Sequence, residues 1–198
     1  MELESGHPLD VVRKLFPAHM SSSFMAEHGQ FWGRVFEVTP DHTPDPLAFV
    51  LFRGGGKSTT AEAAAVVLVG QERRSFGLYV SGTQLLANKH VASVQGMLES
   101  DPIQQYYPGI GRPKIGITGL QRAWRTGAGS QAELQCENGA SILAVGLDTA
   151  VRGLKLEHRR PDFIILDELD DRHDSPEAVK KNIEALTSNI LPMRAPGC

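Results

Sequence analysis

Apolar side chains recur along this chain at spacings that predict alternating strands and helices. An unbroken apolar run at 47–52 predicts a central parallel strand, because a strand that is covered on both faces needs no polar alternation. A second run at 78–80 predicts the next strand, and the apolar residues at 163–166 predict another. After the second run comes the spacing of an amphipathic helix of about four turns, carried by Ala87, Val91, Val94 and Leu98.

Helices are also predicted at both ends of the chain. Residues 1–37 have apolar positions at near-helical spacing in two pieces, and a linker rich in proline, aspartate and histidine follows at 39–46. Ser175 and Pro176 are typical of an N-cap and of the first position of a helix, so they open a final helix. The buried stripe predicted for that helix consists of Val179, Ile183, Leu186 and Ile190.

The dipeptide Asn138-Gly139 predicts a tight hairpin turn between the apolar segments 133–136 and 142–145. Together with the alternating strands and helices, this hairpin predicts an α/β fold, a three-layer sandwich with a mainly parallel central sheet and an added β-hairpin. The predicted organisation is an N-terminal helical segment and linker at 1–46, a core at 47–192 and an irregular tail at 193–198.

A glycine-rich loop stands between the first predicted strand and a helix predicted at 59–68. This loop supplies the candidate nucleotide-binding residues Arg53, Gly54, Gly55, Gly56, Lys57, Ser58 and Thr59. Backbone N–H groups of such a loop can surround a phosphate, while Lys57 can reach the β and γ phosphates and Ser58 can bind Mg²⁺. The positive end of the following helix dipole would face the same anion.

The loop departs from the usual phosphate-loop pattern at one position. Leu51 stands where that pattern has its first glycine, and three consecutive glycines supply the flexibility that is lost. A flexible turn beside a solvated lysine is the alternative interpretation of this segment.

Two carboxylates follow the last predicted strand. Asp167 is a candidate Mg²⁺ ligand together with Ser58, and Glu168 can orient an attacking water. A strand that ends in a solvated acidic loop is the alternative, since three further aspartates follow by position 174. The order of the glycine loop and the acidic pair favours hydrolysis of a nucleoside triphosphate with Mg²⁺ as cofactor.

Two arginines are candidates for stabilising charge in the transition state. Arg53 could reach the γ-phosphate of its own subunit, or it could pair with the acidic residues that follow Asp167. Arg152 is a candidate for an arginine supplied to a neighbouring subunit, an effect worth about 10³–10⁵ in rate, and a surface arginine before a turn is the alternative. The predicted catalytic residues are therefore Glu168, Arg53 and Arg152.

Composition narrows the class of protein. The chain has 198 residues, enough for one α/β domain, and its 41% hydrophobic and 22% charged content is ordinary for a soluble globular protein. A net charge of −3 means that nucleic acid could be bound only by a local patch. Residues 102–132 lack carboxylates and contain basic and aromatic side chains, so they form either such a patch or a solvated loop.

The cysteines and the N-terminus bear on the compartment. Two cysteines without CxxC spacing argue against a disulfide framework or a zinc site. No secretory leader is evident at the start, and no apolar run approaches about 18 residues. These features favour a cytoplasmic protein with no membrane contact.

Four segments of the chain resemble the ATPase domain of phage terminase large subunits. They lie at 53–59, 78–83, 150–153 and 160–168, and the resemblance extends over about 24–191. An arginine inside the glycine loop is typical of that family. The resemblance implies a P-loop NTPase of the ASCE type, in which Lys57 and Ser58 contact phosphate and Mg²⁺. It also implies that Asp167 is the acidic metal partner, Glu168 the catalytic glutamate, and Arg53 or Arg152 the arginine sensor or finger.

The same resemblance implies partners. A packaging motor of this kind acts on double-stranded DNA together with a portal protein and a small terminase subunit, as a homo-oligomeric ring in the host cytoplasm. The nuclease domain of that family is absent from these 198 residues, so we expect no DNA cleavage by them. A further strand that could couple hydrolysis to DNA movement is not evident after position 192.

Three hypotheses about function follow. The first is a Mg²⁺-dependent ATPase that powers DNA packaging. The second is a truncated prophage remnant or regulatory protein that binds ATP without motor activity. The third is a kinase that transfers the γ-phosphate to a small molecule, and Glu168 argues against it because such kinases seldom have a glutamate directly after the metal-binding aspartate.

Overall fold

The computed structural model describes residues 6–42, 45–114, 124, 131–149, 159–171, 173–196 and 198. Six α-helices and four β-strands occur in these ranges. In chain order they are α1 (Pro8–Leu15), α2 (Ala26–Glu37), α3 (Lys57–Gly70), β1 (Phe76–Ser81), α4 (Gln84–Leu98), α5 (Asp101–Tyr106), β2 (Glu133–Gln135), β3 (Ser141–Gly146), β4 (Phe163–Leu166) and α6 (Pro176–Ala185). A π-helical turn at Leu186–Ile190 and a 3₁₀ turn at Leu191–Met193 follow α6.

The strands form one open mixed sheet with the order β2-β3-β1-β4. β1 pairs in parallel with β3 on one side and with β4 on the other, whereas β2 is antiparallel to β3. All six residues of β1 are buried, as expected for an apolar strand between two parallel neighbours. The prediction of an α/β fold with a mainly parallel sheet is confirmed at this level.

The predicted hairpin is present. β2 and β3 are joined by a tight turn in which Gly139 has a φ of 88° and the Asn138 side chain accepts a hydrogen bond from the N–H of Ala140. Both residues thus have the turn roles that their types favour. The second strand of the hairpin also pairs with β1, so the hairpin is continuous with the parallel part of the sheet.

Apolar side chains are buried on both faces of the sheet. Tyr79 of β1 belongs to a large cluster with α1, α2, α3 and α4, whereas Leu78 and Val80 belong to a smaller cluster that includes Ile190 and Met193. Side chains of one strand alternate between the two faces, which explains this division. Helical segments therefore pack on both faces, an arrangement compatible with a three-layer sandwich.

The predicted helices of the N-terminal half are confirmed. In α4 the four residues of the predicted stripe, Ala87, Val91, Val94 and Leu98, are all fully buried. α1 and α2 account for the two helical pieces predicted before residue 37, and their apolar faces share the large cluster with α3 and α4. The N-terminal helices are thus part of the same core as the sheet.

The central strand predicted at 47–52 is wrong. No strand is formed there, and the side chains of Val50 and Phe52 are 82% and 65% exposed. Phe49 instead packs on α2, where its ring centroid lies 4.6 Å from that of Phe31. A groove of about 520 Å³ separates this segment from β4, which is the edge strand of the described sheet. Within this apolar run, the ring of Phe49 packs against α2. Hydrophobic periodicity alone cannot distinguish such a segment from a buried strand.

The buried stripe predicted for the final helix is wrong for α6. The cap itself is confirmed, since Ser175 Oγ accepts a hydrogen bond from the N–H of Ala178. No residue of α6 is buried, and Ile183 is 55% exposed. Only Ile190, in the π-helical turn beyond α6, is fully buried. The spacing predicts an apolar face along the whole helix. Other parts of the chain bury that face only at Ile190, beyond the C-terminal end of α6.

Within the described residues, no helix combines the length and the apolar content needed to cross a lipid bilayer.

We predict that Gly77→Ala lowers the free energy of unfolding. A methyl group added to this residue of β1 would overlap the ring of Phe163 on the neighbouring strand. Overpacking of this kind costs about 1–3 kcal/mol, which urea denaturation can measure.

Gly96→Ala in α4 is the matched control. Open space surrounds the added methyl group, and alanine exceeds glycine in helix propensity by up to about 1 kcal/mol, so stability should rise. A Gly77→Ala protein as stable as the parent would contradict the described packing of β4 against β1.

Candidate functional site

The glycine loop bends sharply into the start of α3. Gly54 and Gly56 have φ angles of 85° and 78°, in the left-handed region that glycine tolerates best. Gly56 is the N-cap of α3 and has no side chain to occupy the first N–H groups, and the first turn contains no acidic residue. The N-terminus of this helix of 14 residues therefore presents uncompensated N–H groups and the positive end of its dipole.

Lys57 is folded back over the loop. Its ammonium donates hydrogen bonds to the carbonyl oxygens of Leu51 at 2.9 Å and Phe52 at 3.1 Å. Both acceptors are neutral, and a phosphate oxygen is a stronger acceptor for an ammonium than a neutral carbonyl. The side chain is therefore placed at the loop that it would serve in phosphate binding. Ser58 and Thr59 follow it, half-buried, in the first turn of α3.

His28 of α2 contacts the backbone of the glycine loop, and no sequence motif pointed to it. Its Nδ1 accepts a hydrogen bond from the N–H of Met25, which fixes the proton on Nε2. Nε2 therefore donates to the carbonyl of Gly55 at 3.1 Å. The aromatic neighbours Phe24 and Phe49 surround the imidazole. Nothing in the spacing of His28 distinguishes it from an ordinary core histidine.

The acidic pair lies at the carboxyl end of β4. The N–H of Asp167 donates to the carbonyl of Val80 at 3.0 Å, which continues the pairing of β4 with β1 by one residue. The phenol of Tyr79 donates to Asp167 Oδ2 at 3.1 Å, and the aspartate side chain is 14% exposed. Asp167 is thus a largely enclosed carboxylate with a fixed hydrogen-bond donor.

Glu168 has an unusual backbone conformation. Its φ is 52°, in the left-handed region that residues other than glycine seldom adopt. The N–H of Gly82 donates to the Glu168 carbonyl at 3.0 Å, and an added methyl group at Gly82 would press on the carbonyls of Glu168 and Leu169. The exposed Glu168 is therefore held in a strained conformation by the loop after β1, and such strain is found most often at functional sites.

Two of the predicted site residues line one groove, whereas the glycines of the loop, Ser58 and Glu168 are not among its lining residues. The two are Lys57, the first residue of α3, and Asp167, the residue directly after β4, and Ala61, Phe49 and Leu166 are among the other lining residues. A groove of about 520 Å³ falls within the range of small-molecule sites.

A buried polar cluster adjoins Asp167 through Tyr79, and no sequence motif pointed to it. The carboxylate of Glu62, on α3, accepts hydrogen bonds of 2.7 Å from His90 Nδ1 and from Ser93 Oγ. The imidazole of His90 stacks on the ring of Tyr79 with centroids 5.0 Å apart. One signal was available in the sequence, because Glu62 is the only charged residue of the alanine- and valine-rich stretch 59–69.

Ionisation of two groups in this cluster is perturbed. Burial lowers the pKa of His90, but the hydrogen bond to Glu62 and the nearby carboxylates of Asp167 and Glu168 outweigh it, so the pKa is raised overall. Burial and the neighbouring charges of Asp167 and Glu62 raise the pKa of Tyr79. Tyr79 is therefore protonated at every physiological pH and acts as a donor.

The remaining predicted residues are placed as follows. Arg53 is exposed in the glycine loop, and it forms no ion pair with any described residue, including the acidic residues after Asp167. Arg152 lies outside the described residues, as does the segment 150–153 that contains it.

Ser58 and Asp167 are the residues that could hold a magnesium ion arriving with a nucleotide. No group of three or more histidine, cysteine, aspartate or glutamate side chains is gathered for a metal within the ranges that the structure describes. Magnesium at nucleotide sites keeps several waters and takes only one or two protein ligands besides the phosphates. The hydroxyl of Ser58 and the carboxylate of Asp167 are the oxygen ligands that such an ion prefers.

Comparisons with models of known protein families, with curated proteins and with solved structures found no match to this chain.

We predict that the stabilising effect of His90 falls as pH rises. Because the pKa of His90 is raised in the folded protein, its contribution is complete below the unfolded pKa of about 6.5 and is lost as pH rises through the folded pKa. The difference in unfolding free energy between parent and His90→Gln should be larger at about pH 6 than at about pH 9.

Ser93→Ala is the control for that measurement. It removes a hydrogen bond to the same carboxylate, but the hydroxyl does not titrate, so its effect on stability should not follow the same pH dependence. If the difference in unfolding free energy between parent and His90→Gln did not change with pH, the raised pKa of His90 would be contradicted.

Proposed function

We propose that this chain binds ATP with Mg²⁺ and hydrolyses it, as the ATPase of a motor that packages double-stranded DNA into a phage capsid. The observation that carries the proposal is the common groove, which Lys57 and Asp167 both line although they lie far apart in the sequence. A cation beside a glycine loop and a carboxylate beyond a parallel strand are the two elements that such hydrolysis requires.

Each part of the site has a role in this proposal. The N–H groups of the glycine loop and the start of α3 bind the phosphates, and the ammonium of Lys57 exchanges its carbonyl partners for phosphate oxygens. Ser58 and Asp167 would hold Mg²⁺, which when bound neutralises charge on the phosphates. Glu168 orients the attacking water and accepts its proton.

The packaging role and the partners are supported by the sequence resemblance to phage terminase large subunits. Double-stranded DNA, a portal protein and a small terminase subunit are the proposed partners, with a homo-oligomeric ring as the working assembly in the host cytoplasm. Arg53 is exposed on the glycine loop and is therefore accessible to a nucleotide in its own subunit. Arg152 is the proposed alternative source of the catalytic guanidinium.

A second candidate function is nucleotide binding without turnover. It is favoured by one observation: residues 47–52 lie outside the sheet, so the glycine loop is attached to α2 through His28 and not through a paired strand. A loop held in this way can bind phosphate, but turnover also requires that it keep a fixed position relative to Glu168.

Phosphate release from ATP, measured with and without duplex DNA and with Mg²⁺ or a chelator, separates these functions. Mg²⁺-dependent release that DNA accelerates supports the motor ATPase. Binding of ATP with no release in either condition supports the second candidate. Absence of nucleotide binding would contradict both.

We predict that Glu168→Gln retains ATP affinity and loses about 10²–10⁴-fold in hydrolysis rate, because the water loses its general base. Binding is measured by calorimetry and hydrolysis by phosphate release. Glu177→Gln, an identical change at an exposed residue in the first turn of α6, should leave both unchanged. Parental hydrolysis by Glu168→Gln would remove this residue from its proposed role.

We predict that Lys57→Ala weakens ATP binding itself. A hydrogen bond to a charged group contributes about 1.5–3 kcal/mol, so the dissociation constant should rise by about one to two orders of magnitude. Lys89→Ala is the control, because it removes a lysine charge from an exposed position of α4 that lies outside the glycine loop. Equal affinities for the Lys57→Ala protein and the parent would place the phosphates elsewhere.

A further inference from the structure

The buried cluster behind Asp167 connects the two halves of the proposed site. Resting on the proposed function, we infer that Tyr79 and His90 are positioning residues that orient the carboxylate of Asp167 for the metal. Through Glu62, they hold it in a fixed relation to the helix that follows the glycine loop. None of these three residues is required by the phosphate-loop pattern itself.

The contact that orients Asp167 comes from the neighbouring strand. Tyr79 of β1 is fully buried and is paired in register with Ile165, so its phenol reaches the end of β4. It donates its proton to Asp167 Oδ2, and this hydrogen bond limits rotation of the carboxylate about its χ2 angle. The other oxygen, Oδ1, is then the one presented to a cation.

The contact with the glycine-loop helix is made by Glu62. This residue lies on the second turn of α3 and is only 6% exposed. A buried carboxylate is costly unless its oxygens are hydrogen-bonded, and here each oxygen has a donor, one from His90 and one from Ser93. Both donors belong to α4, so the position of α3 is fixed relative to α4 at this level.

His90 joins these two contacts. Its Nδ1 donates to Glu62, and the flat side of its ring supports the ring of Tyr79. Its Nε2 is buried, has no hydrogen-bond partner within the described chain, and lies 3.9 Å from Asp167 Oδ2. That distance is too long for a hydrogen bond but leaves no room for another group between the two atoms.

A purely structural role would not explain this arrangement. Well-packed apolar side chains of similar volume stabilise a core as well as buried charged groups do, and often better. The phenol of Tyr79 instead donates to the carboxylate proposed to bind the metal, and Nε2 of His90 lies 3.9 Å from the same oxygen. Residues that support a metal ligand in this way commonly change metal affinity by about 10–100-fold when replaced.

Binding of a non-hydrolysable ATP analogue, measured by calorimetry with Mg²⁺ and with a chelator, tests the inference without requiring turnover. In Tyr79→Phe, affinity in the chelator should equal that of the parent, because no group that binds phosphate has changed. The tightening produced by Mg²⁺ should be reduced by about 10-fold. His90→Asn, which keeps an N–H donor for Glu62 but loses the ring and Nε2, should show the same selective loss.

Tyr106→Phe is the matched control, because it removes the same hydroxyl from a half-buried tyrosine of α5 outside the groove. It should retain the parental response to Mg²⁺. Thermal unfolding of each variant identifies any that fail to fold, and Tyr79→Phe, which keeps its ring, provides the decisive comparison.

The outcomes separate this inference from the proposed function. If the parent binds the analogue more tightly with Mg²⁺ and both Tyr79→Phe and His90→Asn respond as the parent does, the positioning role is overturned and the proposed function stands. If Tyr106→Phe loses the response as strongly as Tyr79→Phe, the effect is not specific to Asp167 and the inference is likewise overturned. A parent that binds no analogue in either condition contradicts the proposed function itself.

Discussion

The parallel pairing of β1 with β4 is the constraint on which the rest of the site depends. Its register places Asp167 one residue past the last pair, so its N–H reaches Val80 and its side chain meets Tyr79. The same pairing brings the loop after β1 against Glu168, whose left-handed backbone is held by Gly82. Main-chain hydrogen bonds thus fix the backbone of both acidic residues relative to β1.

The glycine loop is positioned by a different means. No paired strand is present at 47–52. The loop is held by the hydrogen bond from His28 of α2, by the hydrogen bond that Lys57 donates to the carbonyl of Leu51, and by its connection to α3. The glycine loop can therefore rearrange when a few hydrogen bonds break. Asp167 could move only if the pairing of β4 with β1 were disrupted. A nucleotide bound as proposed would set the position of the loop relative to Asp167, and the Glu62–His90 contact would limit how far α3 could follow.

Much of the fold could be predicted because it is encoded locally. The apolar run in β1, the helical spacing of apolar residues in α4, the Asn138-Gly139 turn and the Ser175 cap each specify their own element. The predictions for 47–52 and for α6 are wrong because an apolar pattern does not specify which other part of the chain packs on it. That packing depends on the tertiary fold. For the site, the loop and the acidic pair were visible as motifs. The contacts of Tyr79, His90 and Glu62 were not, because they join residues that only the tertiary fold brings together.

The central claim is that one Mg²⁺–ATP lies between the loop and the acidic strand. A crystal structure with a non-hydrolysable ATP analogue and Mg²⁺ tests it most directly. The account predicts that the γ-phosphate contacts the ammonium of Lys57, with the metal between it, Ser58 and Asp167, within the groove that both ends of the site line. A nucleotide bound on another surface, or phosphates in the loop with Asp167 remote from the metal, would contradict it.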